Sequence, residues 1–199
     1  MNKTIFTFAL LLNVAITATA QSPATGQILG HDYVDLGLSV MWATCNIGAS
    51  SPSDYGDYFA WGEAETKSSY TKDNSATYGK SSDTFLDAAS GQWGSLWRMP
   101  TRAECQELID NCTWQWTTVG GHKGYRVTSK KNGSSIFLPA AGGRYTTQLN
   151  NADEWGYYWS SSPYESNSNN AYFLTFSSGY RIVYWSYRYY GASIRPVSE

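Results

Sequence analysis

The chain has 199 residues, a formal net charge of -2, 15% charged side chains and 16% aromatic ones, including 9 Trp and 16 Tyr. So few Lys and Arg exclude the clustered cations that drive phosphate binding, and nucleic acid is not an expected partner. Contacts should run through aromatic faces, hydroxyls and amides instead.

The first twenty residues read as a secretory signal, with Lys3 in a short basic start, an apolar run from Ile5 to Ile16 and Ala18-Thr19-Ala20 as a cleavage site before Gln21. The apolar run is shorter than the roughly 20 residues of a membrane span. No cysteine follows the cleavage point to carry a lipid. The mature chain is therefore expected to be exported to the periplasm, the outer cell surface or the medium, without membrane insertion. Residues 21–30 read as a leader and 31–199 as one domain with a real core.

From Tyr33 to Trp42 (YVDLGLSVMW) the pattern predicts one or two early strands around a turn at Gly37. Ser50 to Asp57 is turn chemistry, and Glu63 to Thr84, polar and without periodicity, reads as a long surface loop. A short helix is expected from Asp87 to Gln92, ending near Gly94. A stronger one follows Pro100, where Thr101 can cap and Glu104 completes a capping box. Cys105, Leu108, Ile109 and Cys112 then fall at i, i+3, i+4 and i+7 on its buried face. Trp93, Trp97, Trp114 and Trp116 flank this helix and read as core.

Beyond residue 112 the periodicity changes to that of strands: 125–129, 135–138, 157–161, 171–176, 180–185 and 192–197. Lys131-Asn132-Gly133 marks a hairpin turn. One or two helices ahead of short, mostly antiparallel strands predict an α+β domain.

Alternation places Tyr172, Leu174 and Phe176 on a core face, with Phe173, Thr175 and Ser177 opposite. In the next run Tyr180, Ile182 and Tyr184 oppose Arg181, Val183 and Trp185, and either set could face inward. Tyr180, Tyr184, Trp185, Tyr187, Tyr189 and Tyr190 crowd between Gly179 and Gly191. Tyrosine gives large, rigid, amphipathic contact area at low entropic cost, so the cluster reads as a binding surface. The competing reading is cross-strand aromatic packing. Against it, adjacent Tyr189 and Tyr190 cannot both face one core, and Ser177 and Ser186 lie among the rings.

Export permits disulfides among Cys45, Cys105 and Cys112. On one helix Cys105 and Cys112 would be about 10 Å apart along the axis, whereas bridged Cα atoms lie within about 7 Å. Cys45 with Cys112 is the preferred pair, and three buried reduced thiols are the alternative.

Signals for catalysis are poor. His31 and His122 are in no zinc-ligand pattern, and there is no Gly-x-Ser-x-Gly elbow or Walker loop. Glu154 and Glu165 are too ordinary a pair to make a hydrolase. Asn150-Asn151-Ala152-Asp153-Glu154 could supply oxygen ligands for calcium but reads as a solvated loop. No enzyme activity, metal or cofactor is expected.

Five segments carry a resemblance: YVDLGLSVMWATCNIGASSPSDYGDYFAWGE (33–63), DAASGQWGSLWRMPTRAE (87–104), FLPAAGGR (137–144), YYWSSSPY (157–164) and GASIRPVSE (191–199). In this order they resemble the Fib_succ_major paralogous-domain family of exported proteins common in gut anaerobes, over nearly the whole mature chain. That resemblance implies a C-type-lectin-like fold. The 98–104 and 191–197 segments are similar to the formylglycine-generating branch, whose paired C-terminal cysteines are missing here. The Glu-Pro-Asn, Gln-Pro-Asp and Trp-Asn-Asp tripeptides of calcium-dependent lectins are also missing.

The stretch from Ala171 to Val197 further resembles the variable region of proteins diversified by retroelements. Tyr172, Leu174, Phe176, Gly179, Arg188, Gly191, Arg195 and Pro196 would then be fixed. Phe173, Thr175, Tyr180, Ile182, Tyr184, Ser186, Tyr187, Tyr189 and Tyr190 would contact ligand, each reachable by adenine-directed change of an Asn codon. Trp185 is not reachable that way and joins the ligand set as a template residue, while Arg181 and Arg188 would add polar contacts or stacking. The implied partner is a protein or glycan on a cell or matrix surface. A fixed carbohydrate-binding or adhesin domain is the alternative.

Overall fold

A computed structural model describes residues 21–199, so the expected signal segment, residues 1–20, lies outside the described residues. In chain order the strands begin with β1 (Gly26–Ile28), β2 (His31–Val34) and β3 (Met41–Ala43), followed by helices α1 (Ala88–Trp93) and α2 (Arg102–Asn111). Then come β4 (Cys112–Val119), β5 (His122–Ser129), β6 (Ser135–Pro139), β7 (Gly143–Tyr145) and β8 (Gln148–Asn150). The chain closes with β9 (Trp155–Pro163), β10 (Asn170–Ser177), β11 (Tyr180–Tyr187) and β12 (Val197–Ser198). All strand pairings are antiparallel, in sheets ordered β1-β2-β3-β12, β4-β5-β6 and β11-β10-β9, with β7-β8 as a separate hairpin. The result is a small α+β domain of mostly antiparallel sheets and two short helices.

The main core lies between α2 and the sheets. Cys105 and Leu108 of α2 meet Val34, Trp42, Val127, Ile136, Leu138, Tyr158, Leu174, Phe176 and Val197. A second core gathers Ile47, Phe59, Trp61, Met99, Trp159, Phe173 and Ile194. Strand β10 separates the two, which is why all but its last residue are buried.

Helix α2 begins as its sequence dictates. Thr101 accepts from the Glu104 amide at 3.2 Å, and Glu104 accepts from the Thr101 amide at 2.7 Å. Arg98 adds a two-pronged bond to the Glu104 carboxylate at 2.8 and 2.7 Å and reaches Glu199 at 2.6 Å. One ionic knot thus joins the helix start to the chain end. Helix α1 is capped by Asp87, which also accepts from the Met99 amide at 2.9 Å.

Several expectations need correction. Within the expected leader, residues 26–28 pair with β2, and Gln21 and Ser22 bond to β6 through Phe137 and Ser135. Cys112 leaves the helix to begin β4, a strand carrying Trp114 and Trp116 that the helical periodicity concealed. The 192–197 run is a strand only at Val197, where β12 begins: its backbone bonds to Phe59, Tyr157, Ile47, Ala43 and Arg98 in turn. The long loop is anchored rather than loose. Tyr70 and Thr77 are buried, Thr77 donates to the Trp61 carbonyl at 2.6 Å, and the Tyr70 hydroxyl donates to the Tyr58 carbonyl.

The Cys45–Cys112 bridge is absent, and all three cysteines are free thiols. Cys112 is enclosed in the α2 core, whereas Cys45 is half-buried just past β3, next to the Thr44 hydroxyl at 3.6 Å. Burial pushes the Cys112 thiol up to about 11 and Cys105 higher still. Maleimide labelling of the native protein should modify Cys45 first and reach the other two only on unfolding; a mass 2 Da short of three thiols would restore the bridge.

Burial acts to raise the Glu104 carboxyl, but Arg98 and Thr101 outweigh it and hold its pKa below the ordinary 4.5. The stabilisation from this lowered pKa is complete above 4.5 and is lost as pH falls below it. In an acid titration of the melting temperature, Glu104→Gln should start lower than wild type near neutrality and decline less steeply below pH 4.5.

Candidate functional site

The register of β9, β10 and β11 builds one aromatic face. Phe173 is opposite Tyr184 and Trp159, Thr175 opposite Ile182 and Tyr157, Ser177 opposite Tyr180 and Trp155, and Ala171 opposite Ser186. Directly paired residues share a face, so these side chains project together, while Tyr158, Leu174, Phe176 and Val183 project into the main core. At one end the aromatic face is covered by the second core. At the other, Tyr180 (47%), Ile182 (37%) and Tyr184 (49%) are open to solvent. Trp155 stacks parallel on Tyr157 with centroids 6.2 Å apart and meets Tyr180 edge-on at 6.0 Å.

Two turns hold this sheet in register. The β10–β11 connection is only Ser178-Gly179, with Gly179 at φ 86, and the Tyr125 hydroxyl accepts from its amide at 2.8 Å and donates to the Ser177 carbonyl at 3.0 Å. At the far end Arg188 is 1% exposed. Its guanidinium donates to the Asn170, Thr77 and Lys80 carbonyls at 3.0, 3.3 and 3.1 Å and lies 4.2 Å above the Trp61 ring. A buried cation without a carboxylate is costly unless its donors are engaged, and here carbonyl dipoles engage them. Arg188 is therefore an anchor and not the ligand contact expected from the sequence.

Around Arg188 the neighbouring tyrosines form a second cluster. Tyr187 stacks on Tyr189 at 5.4 Å, Tyr189 meets Tyr190 at 4.8 Å, and Tyr78 and Tyr145 close the group at 5.2 Å from Tyr189 and 5.4 Å from Tyr190. Burial first, and the Tyr190 hydroxyl second, push the Tyr189 phenol above its ordinary range; burial does the same for Tyr157. These two phenols stay neutral at physiological pH.

Between this cluster and the sheet lies a cavity of about 330 Å³. Tyr157, Trp159 and Phe173 line it from the sheet, Tyr145 and Tyr190 from the sides, and Asn150, Asn151 and Ser186 add neutral polar groups. Gly143 and Gly191 permit the hairpin to approach this closely. A Cβ on Gly143 would be 3.2 Å from the Tyr157 ring, and one on Gly191 would be 2.9 Å from Tyr70.

The expected ligand residues thus separate into groups. Tyr180, Ile182, Tyr184 and Ser186 share the open face, and Tyr187, Tyr189 and Tyr190 form the tip cluster. Phe173 and Thr175 are only 8% and 6% exposed, so they are floor rather than surface. Trp185 pairs across from Tyr172 on the alternate set, and its ring stacks on Tyr164 at 5.4 Å and on Tyr184 at 5.1 Å. Arg181, of the same set, is exposed, 5.8 Å from the Trp114 ring.

Sequence reading missed Tyr78, Tyr145, Trp155 and Tyr157, and took Asn150 and Asn151 for part of a solvated loop. Only the Trp155-x-Tyr157-x-Trp159 alternation signals any of them before the fold is known. Asp153 accepts from the Lys123 amide at 2.8 Å and sits 3.7 Å from His122, so it fixes a loop to β5. Among the described residues no group of three or more His, Cys, Asp or Glu could hold a metal, and no helix is long and apolar enough to cross a membrane.

Phe173→Ala should cost about 3–5 kcal/mol because it opens a hole between the second core and the cavity. Tyr184→Ala, directly across the strand pair, should cost under about 1 kcal/mol. Urea denaturation of the two variants checks this difference, and equal losses would return Tyr184 to the core.

Residues 122–197 match a family model described as a domain of unknown function, DUF8237. The matched segment runs from the start of β5 to the start of β12 and contains the aromatic sheet, the β7–β8 hairpin and the cavity. No curated protein and no solved structure matches the chain.

Proposed function

We propose that the protein is an exported ligand-binding module, receptor- or adhesin-like, with a C-type-lectin-like arrangement. In this reading it meets its partner through the open face of β11 and the tyrosine cluster beside it. The observation that carries the proposal is the location of exposed apolar surface. Among the described residues nine large hydrophobic side chains are exposed, and six of them, Tyr145, Leu149, Tyr180, Ile182, Tyr184 and Tyr187, belong to β7, β8 and β11. Concentrated exposed apolar area marks an interaction site more often than scattered single residues do. Tyrosines that combine a flat ring with a hydroxyl suit a surface that must stay wet until it binds.

Diversification by a retroelement is part of this proposal. It is supported by most of the division of burial: of the positions expected to be fixed, Tyr172, Leu174, Phe176, Arg188, Gly191, Arg195 and Pro196 are buried and Gly179 is exposed, whereas of the expected ligand contacts Tyr180, Ile182, Tyr184 and Tyr187 are exposed and Phe173 and Thr175 are buried. Replacement on the exposed set therefore leaves the packing of both cores intact.

Labelled protein applied to intact cells and extracellular matrix tests the surface. Tyr184→Ala combined with Tyr187→Ala should reduce binding at least tenfold while lowering the melting temperature by no more than a few degrees. Retention of binding in that variant would exclude this face. Deep sequencing of codons 160–199 across a population, with the flanking DNA, tests diversification. Substitutions confined to adenine-templated positions beside a near-copy repeat and a reverse transcriptase are expected, and an invariant 3′ end would leave a fixed binding module.

A further inference from the structure

We infer that the cavity between the β7–β8 hairpin and the aromatic sheet is a calcium-independent subsite for one neutral sugar ring of a glycan. This rests on the ligand-binding reading above and adds to it a location and a ligand class. The volume of about 330 Å³ is at the small end of the roughly 300–1,000 Å³ that hold small ligands, so the site suits a single ring better than an extended chain.

The lining defines the chemistry. Tyr157, half-buried, offers the ring whose electron-rich face attracts the polarised C–H groups on the apolar face of a pyranose, with Trp159 and Phe173 as the closed floor behind it. Asn150, Asn151 and Ser186 add neutral donors and acceptors to the lining, groups suited to sugar hydroxyls. The Asn151 amide already donates to the Tyr157 hydroxyl at 3.3 Å, which ties a polar group to an aromatic one. An alkyl or aryl peptide side chain would fill the same floor but make no bond to those polar groups, whereas the hydroxyls of a polyol can bond to them.

Charge narrows the class further. No carboxylate lines the cavity, so there is neither a calcium bridge to sugar hydroxyls nor a partner for a cationic ligand. The one charged lining residue is Arg144. Its guanidinium lies 5.1 Å from the Tyr58 ring and donates to the Thr147 carbonyl at 3.4 Å, so it is engaged by the hairpin and its surroundings. Beyond the cavity Tyr184 continues the same face, opposite Phe173, and offers a platform for an adjoining ring.

The test is saturation-transfer NMR and calorimetry of the full chain against neutral hexose and N-acetylhexosamine oligosaccharides, with sialylated and sulfated counterparts, with and without EDTA. Binding of a neutral oligosaccharide unchanged by EDTA is expected. Ser186→Tyr, which fills the cavity from β11, and Asn150→Ala, which removes an exposed amide, should each weaken it at least tenfold with melting temperature preserved. Leu96→Ala, an exposed side chain that belongs neither to the cavity nor to the tyrosine faces, should change it less than threefold.

Loss of sugar binding with Tyr180→Ala but not with Ser186→Tyr would move the contact to the open face and overturn this inference, while leaving the ligand-binding reading intact. Binding of charged glycans alone, or a dependence on calcium, would overturn the assigned chemistry. Cell or matrix binding with no neutral sugar bound would assign the cavity to a peptide side chain. A wild-type protein that binds no surface and no sugar defeats both readings together.

Discussion

Arg195 is the interaction on which the rest of the structure depends. Its side chain is 1% exposed, and among the described residues no acid pairs with it. It donates instead to the Asn46 side chain at 2.9 Å and to the Ala43, Thr44 and Phe137 carbonyls at 3.1, 2.6 and 3.0 Å. Burial lowers its pKa, with Tyr158 acting in the opposite direction, yet arginine begins so high that it keeps its charge. Those bonds tie the last segment of the chain to the residues just after β3 and to the middle of β6. Truncating the side chain would therefore leave three carbonyls and an amide unsatisfied in a closed interior, a far larger loss than that of a surface ion pair.

From this anchor the last segment can serve as a seam. Its backbone bonds successively to Phe59, Tyr157, Ile47, Ala43 and Arg98, which brings the second core, β9 and the β1-β2-β3-β12 sheet together. Strand β10 is then buried on both faces, and β11 is the first strand with a side free of the cores. Stability and contact surface are consequently split at the level of alternate residues. Val183 packs inward between Ile182 and Tyr184, which do not, and Arg188 is buried between Tyr187 and Tyr189, which remain accessible in part.

The parts of the fold that were legible in the sequence are those set by local chemistry. The Thr101–Glu104 capping box, the short helix near Asp87 and the Asn132-Gly133 hairpin are specified within a few residues, and each is present where the pattern puts it. Strands β5, β6, β9, β10 and β11 also follow from alternation. What was not legible depends on distant partners. Phe173 and Thr175 alternate correctly with the core face, but only the arrival of Phe59, Trp61 and Ile194 makes the opposite face a second core at that end. Trp114 and Trp116 fit no helix because β4 starts where α2 stops, leaving no turn signal to divide them. Tyr78 and Tyr145 reach the tip cluster through a loop and a hairpin separated by more than sixty residues, a proximity that no local pattern encodes.

The two-residue Ser178-Gly179 turn and the Arg188 anchor, described above as fixing register, also decide what kind of history this surface can have. Each end of β11 is bonded to a defined partner, so the strand has no slack in which to absorb an extra residue. Insertion or deletion of one residue would exchange the two faces, burying tyrosines and exposing Val183. Antibody loops change both length and sequence, but here length is frozen by the sheet itself. Any repertoire built on this scaffold must come from replacement at constant length, with novelty confined to the chemistry of individual side chains on an unchanging grid.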